Sequence, residues 1–435
     1  MEVFCENGIS NIISIKRMEP IMIQPETNPH TKLYFLSNLD QVITIMMETV
    51  YVFKPDGNRS TQTTCEIIKQ ALKKVLVHYI PLAGRLRRDS NGKLIVECTN
   101  EGVPFVEAVA DCSIDMLGDI TVPDSAMLRE LVYTLPGAGN VSEMPLLTAQ
   151  VTRFKCGGFV VGFTIHHSMV DGVSGMEFVN SWAETARGIP LTNPPFLDRS
   201  VIKSRNPPKI GCLIDKFKNI SDISNMESLC QQEKIVYKSF HFDIGKLARL
   251  KKVAMEGGSL DNCTSFTVLG ALLWRARSKA LGMKPDQQTK LMFNVEARTK
   301  LKEPLPKGYF GNAIVGAECV STAGELIKKP FSFVVKMVQN AILEVNEEYV
   351  QSYIDYFEIP RPWPSLTACL LIASWTRIPF NTANFGWGEP VQFNRVGLPK
   401  EVALFSPDGK DSKGIIMVLG LPVTAMNIFQ ELMQV

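Results

Sequence analysis

Residues 146–167 hold two apolar runs, LLTAQVTRF and FVVGFTIHH, separated only by Lys155, Cys156, Gly157 and Gly158. In the second run Phe159, Val161, Phe163 and Ile165 alternate with Val160, Gly162 and Thr164, the period-two pattern of a buried strand. Two such runs joined by a short glycine-containing link predict a hairpin. It runs straight into His166 and His167, whose imidazoles strand alternation sends to opposite faces. They are not expected to act as a pair. Asp171 follows four residues after His167, and then Gly172, whose tolerance of positive φ is expected to turn the chain out of the strand. Val173, Met176, Val179, Trp182, Ala183 and Ala186 then recur at helical spacing.

A histidine between a strand end and a helix is fixed at its backbone and open at its ring. With an ordinary pKa near neutrality it can take a proton from an attacking hydroxyl or amine, so His167 is a candidate general base. A structural histidine with satisfied hydrogen bonds gives the same pattern, and H-x-x-x-D alone leaves both possibilities open. No G-x-S-x-G elbow is present, and GVSG at 172–175 lacks its spacing, which argues against a serine hydrolase. No metal site is expected from His166, His167 and Asp171, because strand geometry separates the histidines.

A chain of 435 residues exceeds one ordinary core and fits two domains. A net charge of +2, with no dense lysine and arginine run, gives no reason to expect nucleic acid as a partner. The N-terminus lacks the basic start and apolar core of a secretory signal, and no span approaches the roughly 20 apolar residues of a membrane helix. The ten cysteines are scattered with no C-x-x-C pair. They read as reduced thiols, which places the protein in the cytoplasm.

Strands are predicted over 11–17 and 45–53, with LSNLDQ (36–41) as a turn between them. Ser60, Thr61 and Thr63 offer N-caps to a helix with the apolar face Ile67, Ile68, Leu72, Val75, Leu76 and Tyr79, stopped by Pro81. Further strands are expected over 94–98, after a tight turn at Asn91 and Gly92, and over 103–108. Residues 189–208 contain five prolines and almost no periodicity, which marks a crossover. The expected division is therefore an N-terminal domain over 1–188, a linker over 189–225 and a C-terminal domain over 226–435. The second half offers strands at 236–242, 291–298 and 366–375, a basic helix over 244–256 and a helix capped by Asn262, Thr264 or Ser265. A long helix from about Gly324 to Tyr349, bent or restarted at Pro330, follows, and 402–405 pairs with 414–421. Mixed strands and helices in each half indicate an α/β class.

The stretches LSNLDQ, PLAGRL (81–86), HHSMVDG (166–172), GYFGN (308–312) and FGWGEP (385–390), in this order along the whole chain, resemble the plant BAHD acyl-CoA-dependent acyltransferases. ALKKVLVHY, MEFVNSW, LPKGYFGN and GLPVTAM are most similar to the group that moves hydroxycinnamoyl groups onto long-chain ω-hydroxy acids and fatty alcohols. The resemblance implies two chloramphenicol-acetyltransferase-like domains with mixed β-sheets flanked by helices and an active-site tunnel at their interface. It implies a monomer with no permanently bound cofactor and acyl-CoA as co-substrate. His167 inherits the general-base role. Asp171 is expected to turn away from substrate and pair with Arg298, holding the turn rather than exchanging protons.

Trp387 can supply an indole N–H to the tetrahedral intermediate or serve only as packing between Gly386 and Gly388, which fix the local backbone. Relatives carry aspartate where this chain has Asn384, losing a charge that could pair with an arginine such as Arg377; Asn keeps the hydrogen-bonding capacity. Thr264 and Ser265 are candidates for CoA phosphates or simple N-caps, and Thr49 is a candidate lining of the acceptor channel. A thioester is already activated, so base-assisted attack by an alcohol suffices. The same base would serve an amine acceptor in an N-acyltransferase, and a non-catalytic acyl-CoA-binding relative is the alternative of another class.

Overall fold

The buried apolar runs of the chain assemble two large sheets and a smaller third one. The computed structural model describes residues 13–27, 32–56, 61–122, 126–136, 144–214, 216–256, 258, 260–359, 365–408 and 413–434. The chain divides into two compact units. One comprises Met1–Ser200, Pro306–Asn312 and Pro379–Gly397; the other comprises Val201–Leu305, Ala313–Ile378 and Leu398–Val435. These units do not follow the contiguous halves that composition suggests, because the FGWG stretch joins the first unit.

In the first unit the main sheet runs Ile15–Arg17, Val103–Ala110, Leu147–Phe154, Phe159–His166, Met46–Phe53, Gln392–Arg395, with Ile21–Ile23 also paired to Val103–Ala110. Only the Val103–Ala110 and Leu147–Phe154 pair is parallel, so the sheet is mixed. The hairpin predicted from alternation forms as expected, with Gly157 at φ 87° in its turn. Phe159–His166 is paired along both edges and buried throughout, which explains its unbroken apolar character.

Two helices, Thr64–Val75 and Gly172–Ala186, pack together beside this sheet. The Trp182 indole donates to Ile68 O at 2.9 Å, and the Tyr79 and Ser181 hydroxyls lie 2.9 Å apart. Thr63 occupies the N-cap position of the first helix without a side-chain cap bond; Ser60, like residues 11 and 12 of the first expected strand, lies outside the described residues. A smaller sheet of Leu33–Tyr34, Leu94–Glu97 and Arg85–Arg88 holds the turn at Asn91 and Gly92.

The second unit's sheet runs Ile235–Phe242, Gly414–Pro422, Val402–Asp408, Cys369–Ser374, Gln288–Glu296, Ile314–Thr322, again with parallel and antiparallel pairs. Ser265–Ala280 packs on it, with the Trp274 indole donating to Thr289 Oγ1 at 3.2 Å. The helix expected over 324–349 is restarted at Pro330, one of the two readings of that proline, and broken again at Asn346, which corrects it to three: Ala323–Lys328, Phe331–Leu343 and Glu347–Tyr356. Pro330 cannot continue the first and instead opens the second, while the Asn346 side chain accepts from Tyr349 N and starts a third. Among the described residues no helix is long and apolar enough to cross a membrane, and no cluster of side chains could hold a metal ion.

Candidate active site

The backbone of Phe159–His166 fixes the position of the histidines. His166 N donates to Leu146 O and His167 N to Ile45 O, each at 2.8 Å, so the last two amides bond to neighbouring segments on opposite sides. The chain then folds back, with Met169 N donating to His166 O at 2.8 Å and Val170 N to His167 O at 3.3 Å. Asp171, in extended conformation, caps Gly172–Ala186: its Oδ1 accepts from Ser174 N at 3.0 Å, and Ser174 Oγ accepts from Asp171 N at 3.1 Å. Gly172 is the first helical residue and is not among the positive-φ glycines, which corrects the expectation that it makes the turn. Residues 167–170 and the Asp171 cap do so.

This turn is held by a buried ion pair. Asp40 of LSNLDQ and Arg199 of the proline-rich stretch approach to 3.2 Å, and both side chains are 0% exposed. Arg199 donates Nη1 to Ser168 O at 3.1 Å, Nη2 to Met169 O at 2.6 Å and Nε to Phe310 O at 2.9 Å. Asp40 Oδ2 accepts from Ser37 N and Oγ at 2.8 and 2.7 Å, and Oδ1 accepts from Asn312 N and Nδ2 at 2.9 and 3.0 Å. Asn312 Nδ2 also donates to His167 O at 2.8 Å. A buried pair contributes only when its remaining hydrogen bonds are met, and here they are. LSNLDQ, HHSMVDG and GYFGN are thus tied into one rigid turn through backbone carbonyls, with His167 Nδ1 left without a hydrogen bond.

The two histidines differ in what their rings do. His166 is 3% exposed, its Nδ1 accepts from Ser168 N at 3.3 Å, and burial, with a smaller effect of His167, lowers its pKa to about 4. It is a neutral structural residue. His167 is partly exposed, and its buried Nδ1 meets no hydrogen-bond partner among the described residues. Burial lowers its pKa as well, opposed by its own backbone, by Asp171 and by the Asn312 side chain and reinforced by Arg395. The ring is therefore held neutral, with a nitrogen not committed to the protein.

The FGWG segment is built differently. Asn384 Oδ1 accepts from Gly386 N at 2.8 Å, a bond that a carboxylate would make equally. Gly386 and Gly388 hold φ of 110° and 87°, which require glycine in practice. Phe385 packs edge-on against Trp182 at 5.3 Å and Phe53 at 5.9 Å, and Trp387 edge-on against Phe159 at 5.3 Å. Phe159 opens the strand that His167 follows. Eight residues of strand separate them by about 26 Å, so Trp387 is too distant to donate to an intermediate at His167. Of the two readings given for Trp387, its contacts fit packing.

A model described as the Transferase family matches residues 13–435. The chain belongs to that family, the BAHD acyltransferases. It is 51% identical over 428 residues to the omega-hydroxypalmitate O-feruloyl transferase of Arabidopsis thaliana, covering 98% of this chain and 93% of that one. Identity to the fatty alcohol:caffeoyl-CoA acyltransferase of the same plant is 49%, covering 97% and 98%. Among solved structures, vinorine synthase superposes with a TM-score of 0.74 at 23% identity, covering 95% of this chain and 96% of that one. TRI101 of F. sporotrichioides, complexed with coenzyme A and T-2, gives 0.72 at 17%, covering 92% and 97%. These likenesses carry the two-domain α/β fold that the resemblance implies.

Other expected positions of the acyltransferase fall as follows. Thr49 is buried in Met46–Phe53, paired with Phe163 on one side and Arg395 on the other. It lies three registers from Met46, the partner of His166, or about 10 Å along the strand. The Thr264 hydroxyl accepts from Thr267 N at 3.1 Å in a reciprocal cap, and Ser265 begins the helix. Arg298 belongs to the second unit, where its Nη1 lies 3.1 Å from Glu296 Oε1. Sequence reasoning assigned no role to Asp40, Arg199, Asn312, Ser174 or Arg395. LSNLDQ and GYFGN marked the vicinity of Asp40 and Asn312, and Asp171-x-x-Ser174 was a legible cap; Arg199 carried no signal.

Proposed function

We propose that this enzyme transfers a hydroxycinnamoyl group, feruloyl or caffeoyl, from CoA to the terminal hydroxyl of a long-chain ω-hydroxy acid or fatty alcohol. The observation that carries the chemistry is the His167 ring: neutral, partly exposed and without a partner on Nδ1, on a turn whose other polar groups are engaged. His167 takes the proton from the acceptor hydroxyl, and the oxygen attacks the thioester carbonyl. The tetrahedral intermediate collapses to ester and CoA thiolate, which recovers the proton. No covalent nucleophile on the protein is needed, because the thiolate is a good leaving group. Asp171 acts as a positioning residue through its helix cap. The identities to two enzymes named for such substrates support the donor and acceptor classes. The free thiols at eight described cysteines support a reducing, cytoplasmic setting.

The test is product identification by mass after incubation with feruloyl-CoA and paired long-chain alcohol, ω-hydroxy acid and amine acceptors. Ester is expected. Exclusive amide formation would reassign the chain as an N-acyltransferase, and CoA binding without turnover would remove the catalytic reading. Because burial lowers the His167 pKa, kcat/KM should hold its plateau below pH 6.5 and fall only as the depressed pKa is crossed.

A further inference from the structure

Within the second unit, the last turn of Ser265–Ala280 carries Arg277 into a cavity of about 230 Å3. Arg277 is 8% exposed, and its Nε and Nη1 are buried with no hydrogen-bond partner among the described residues. A guanidinium does not shed its proton to escape burial, and an unpaired buried charge is strongly unfavourable. Among the described residues no hydrogen bond or ion pair joins Arg277 to a carboxylate, although Glu401 acts on it electrostatically. Glu401 lies 3.7 Å from Lys400, and both Asp222 oxygens accept backbone amides, from Ser224 at 3.1 Å and Glu227 at 3.0 Å. Burial raises the pKa of the adjacent Cys230 and Cys369 thiols, which stay neutral. The buried Nε and Nη1 are therefore open to an anion from outside the chain.

The cavity also selects the anion. Met226, Ile235, Leu281 and Leu421 give it an apolar lining, which suits a hydrocarbon body. A dianion such as a phosphate ester is costlier to strip of water in such a lining than a single negative charge. A carboxylate matches the planar guanidinium with two parallel hydrogen bonds. The volume lies below the roughly 300–1,000 Å3 of pockets for drug-sized ligands, so the ligand is small.

We propose that the second unit contains a binding site for a small apolar monocarboxylate, clamped by Arg277. This site does not depend on the catalytic assignment of His167, which belongs to the first unit. Titration calorimetry on the full-length protein with hexanoate should give saturable binding. Hexanamide, of the same shape without the charge, should bind about tenfold or more weakly, and inorganic phosphate should not compete. Arg277→Met should abolish hexanoate binding while leaving the thermal midpoint equal or higher, since an apolar side chain replaces an unpaired charge.

A second readout needs no variant and locates the site. Hexanoate should slow alkylation of Cys230, which lines the cavity, and leave that of the exposed Cys156 in the first unit unchanged. The proposal is overturned by absence of saturable binding, by equal affinity for hexanamide, by preferential phosphate binding, by full binding in Arg277→Met, or by binding that leaves Cys230 unprotected.

Discussion

The two ends of strand Phe159–His166 carry the two motifs that mark this family, and they are built on opposite plans. Beyond His166 the turn uses its backbone carbonyls on Arg199 and Asn312, yet the His167 imidazole keeps Nδ1 unclaimed. At Phe159 the FGWG segment closes rings edge-to-face on one another, through Trp387 on Phe159 and Phe385 on Trp182. Rigidity at the first end exposes a reactive group; at the second it is the whole purpose. A motif residue is thus judged by the bonding capacity it has left over, not by the company it keeps in sequence.

The sharpest way to break this contrast is to mutate both ends. His167→Ala should lower turnover by about 10²–10⁴-fold while acyl-CoA binding and the thermal midpoint stay near wild type. Trp387→Phe, which keeps a ring on Phe159 but removes the indole N–H, should retain most turnover. A loss of about 10²-fold, as expected for an oxyanion donor, would assign it a catalytic role. Single-turnover rates decide both.

The next effect concerns the support of the turn. Arg199→Met leaves Asp40 buried without its cation and should cost about 3–5 kcal/mol in stability, read from denaturant midpoints. Adding Asp40→Leu should recover part of that loss. If the single variant is as stable as wild type, the ion pair does not hold the turn.

The paired histidines give a smaller, pH-dependent effect. His166 has a folded pKa of about 4 against 6.5 when unperturbed. Its neutral form is the folded one, so its contribution is complete above pH 6.5 and is lost as pH falls from 6.5 towards 4. The difference is about 3 kcal/mol. His166→Gln, which retains an acceptor for Ser168 N, should flatten the stability profile over that window. An unchanged slope would assign the acid sensitivity elsewhere. The smallest effect is at Asn384: Asn384→Asp should change stability by less than about 0.5 kcal/mol, because either side chain accepts from Gly386 N. A large gain in activity would show that charge at this position matters.

The legible parts of the molecule are those governed by local periodicity. The hairpin into His166 and the helix after Asp171 followed from alternation and helical spacing, because both faces of that strand and one face of that helix are buried. Residues 324–349 misled, since Val345 and Tyr349 continue the apolar spacing across the break that Asn346 introduces with its cap. Gly172 misled in another way: it was read for its backbone freedom, when the Asp171 and Ser174 pair beside it sets the helix start. Arg199 was beyond reach, because an arginine in an aperiodic, proline-rich stretch acquires meaning only from residues distant in sequence, Ser168 and Met169 on one side and Asp40 and Phe310 farther off. Trp387 stayed open between donor and packing for the same reason, since its neighbour Phe159 is more than two hundred positions away.

The first unit draws its edge strand, Gln392–Arg395, and its Asn312 bridge from deep in the second half of the chain. A fragment ending near residue 200 is therefore not a miniature of that unit. It lacks the outermost rung of its sheet and one of the clasps on its histidine turn. On a ribosome, the reactive end of this enzyme stays unfinished until nearly the last residues are made, and gene splitting or chimera building must respect that order.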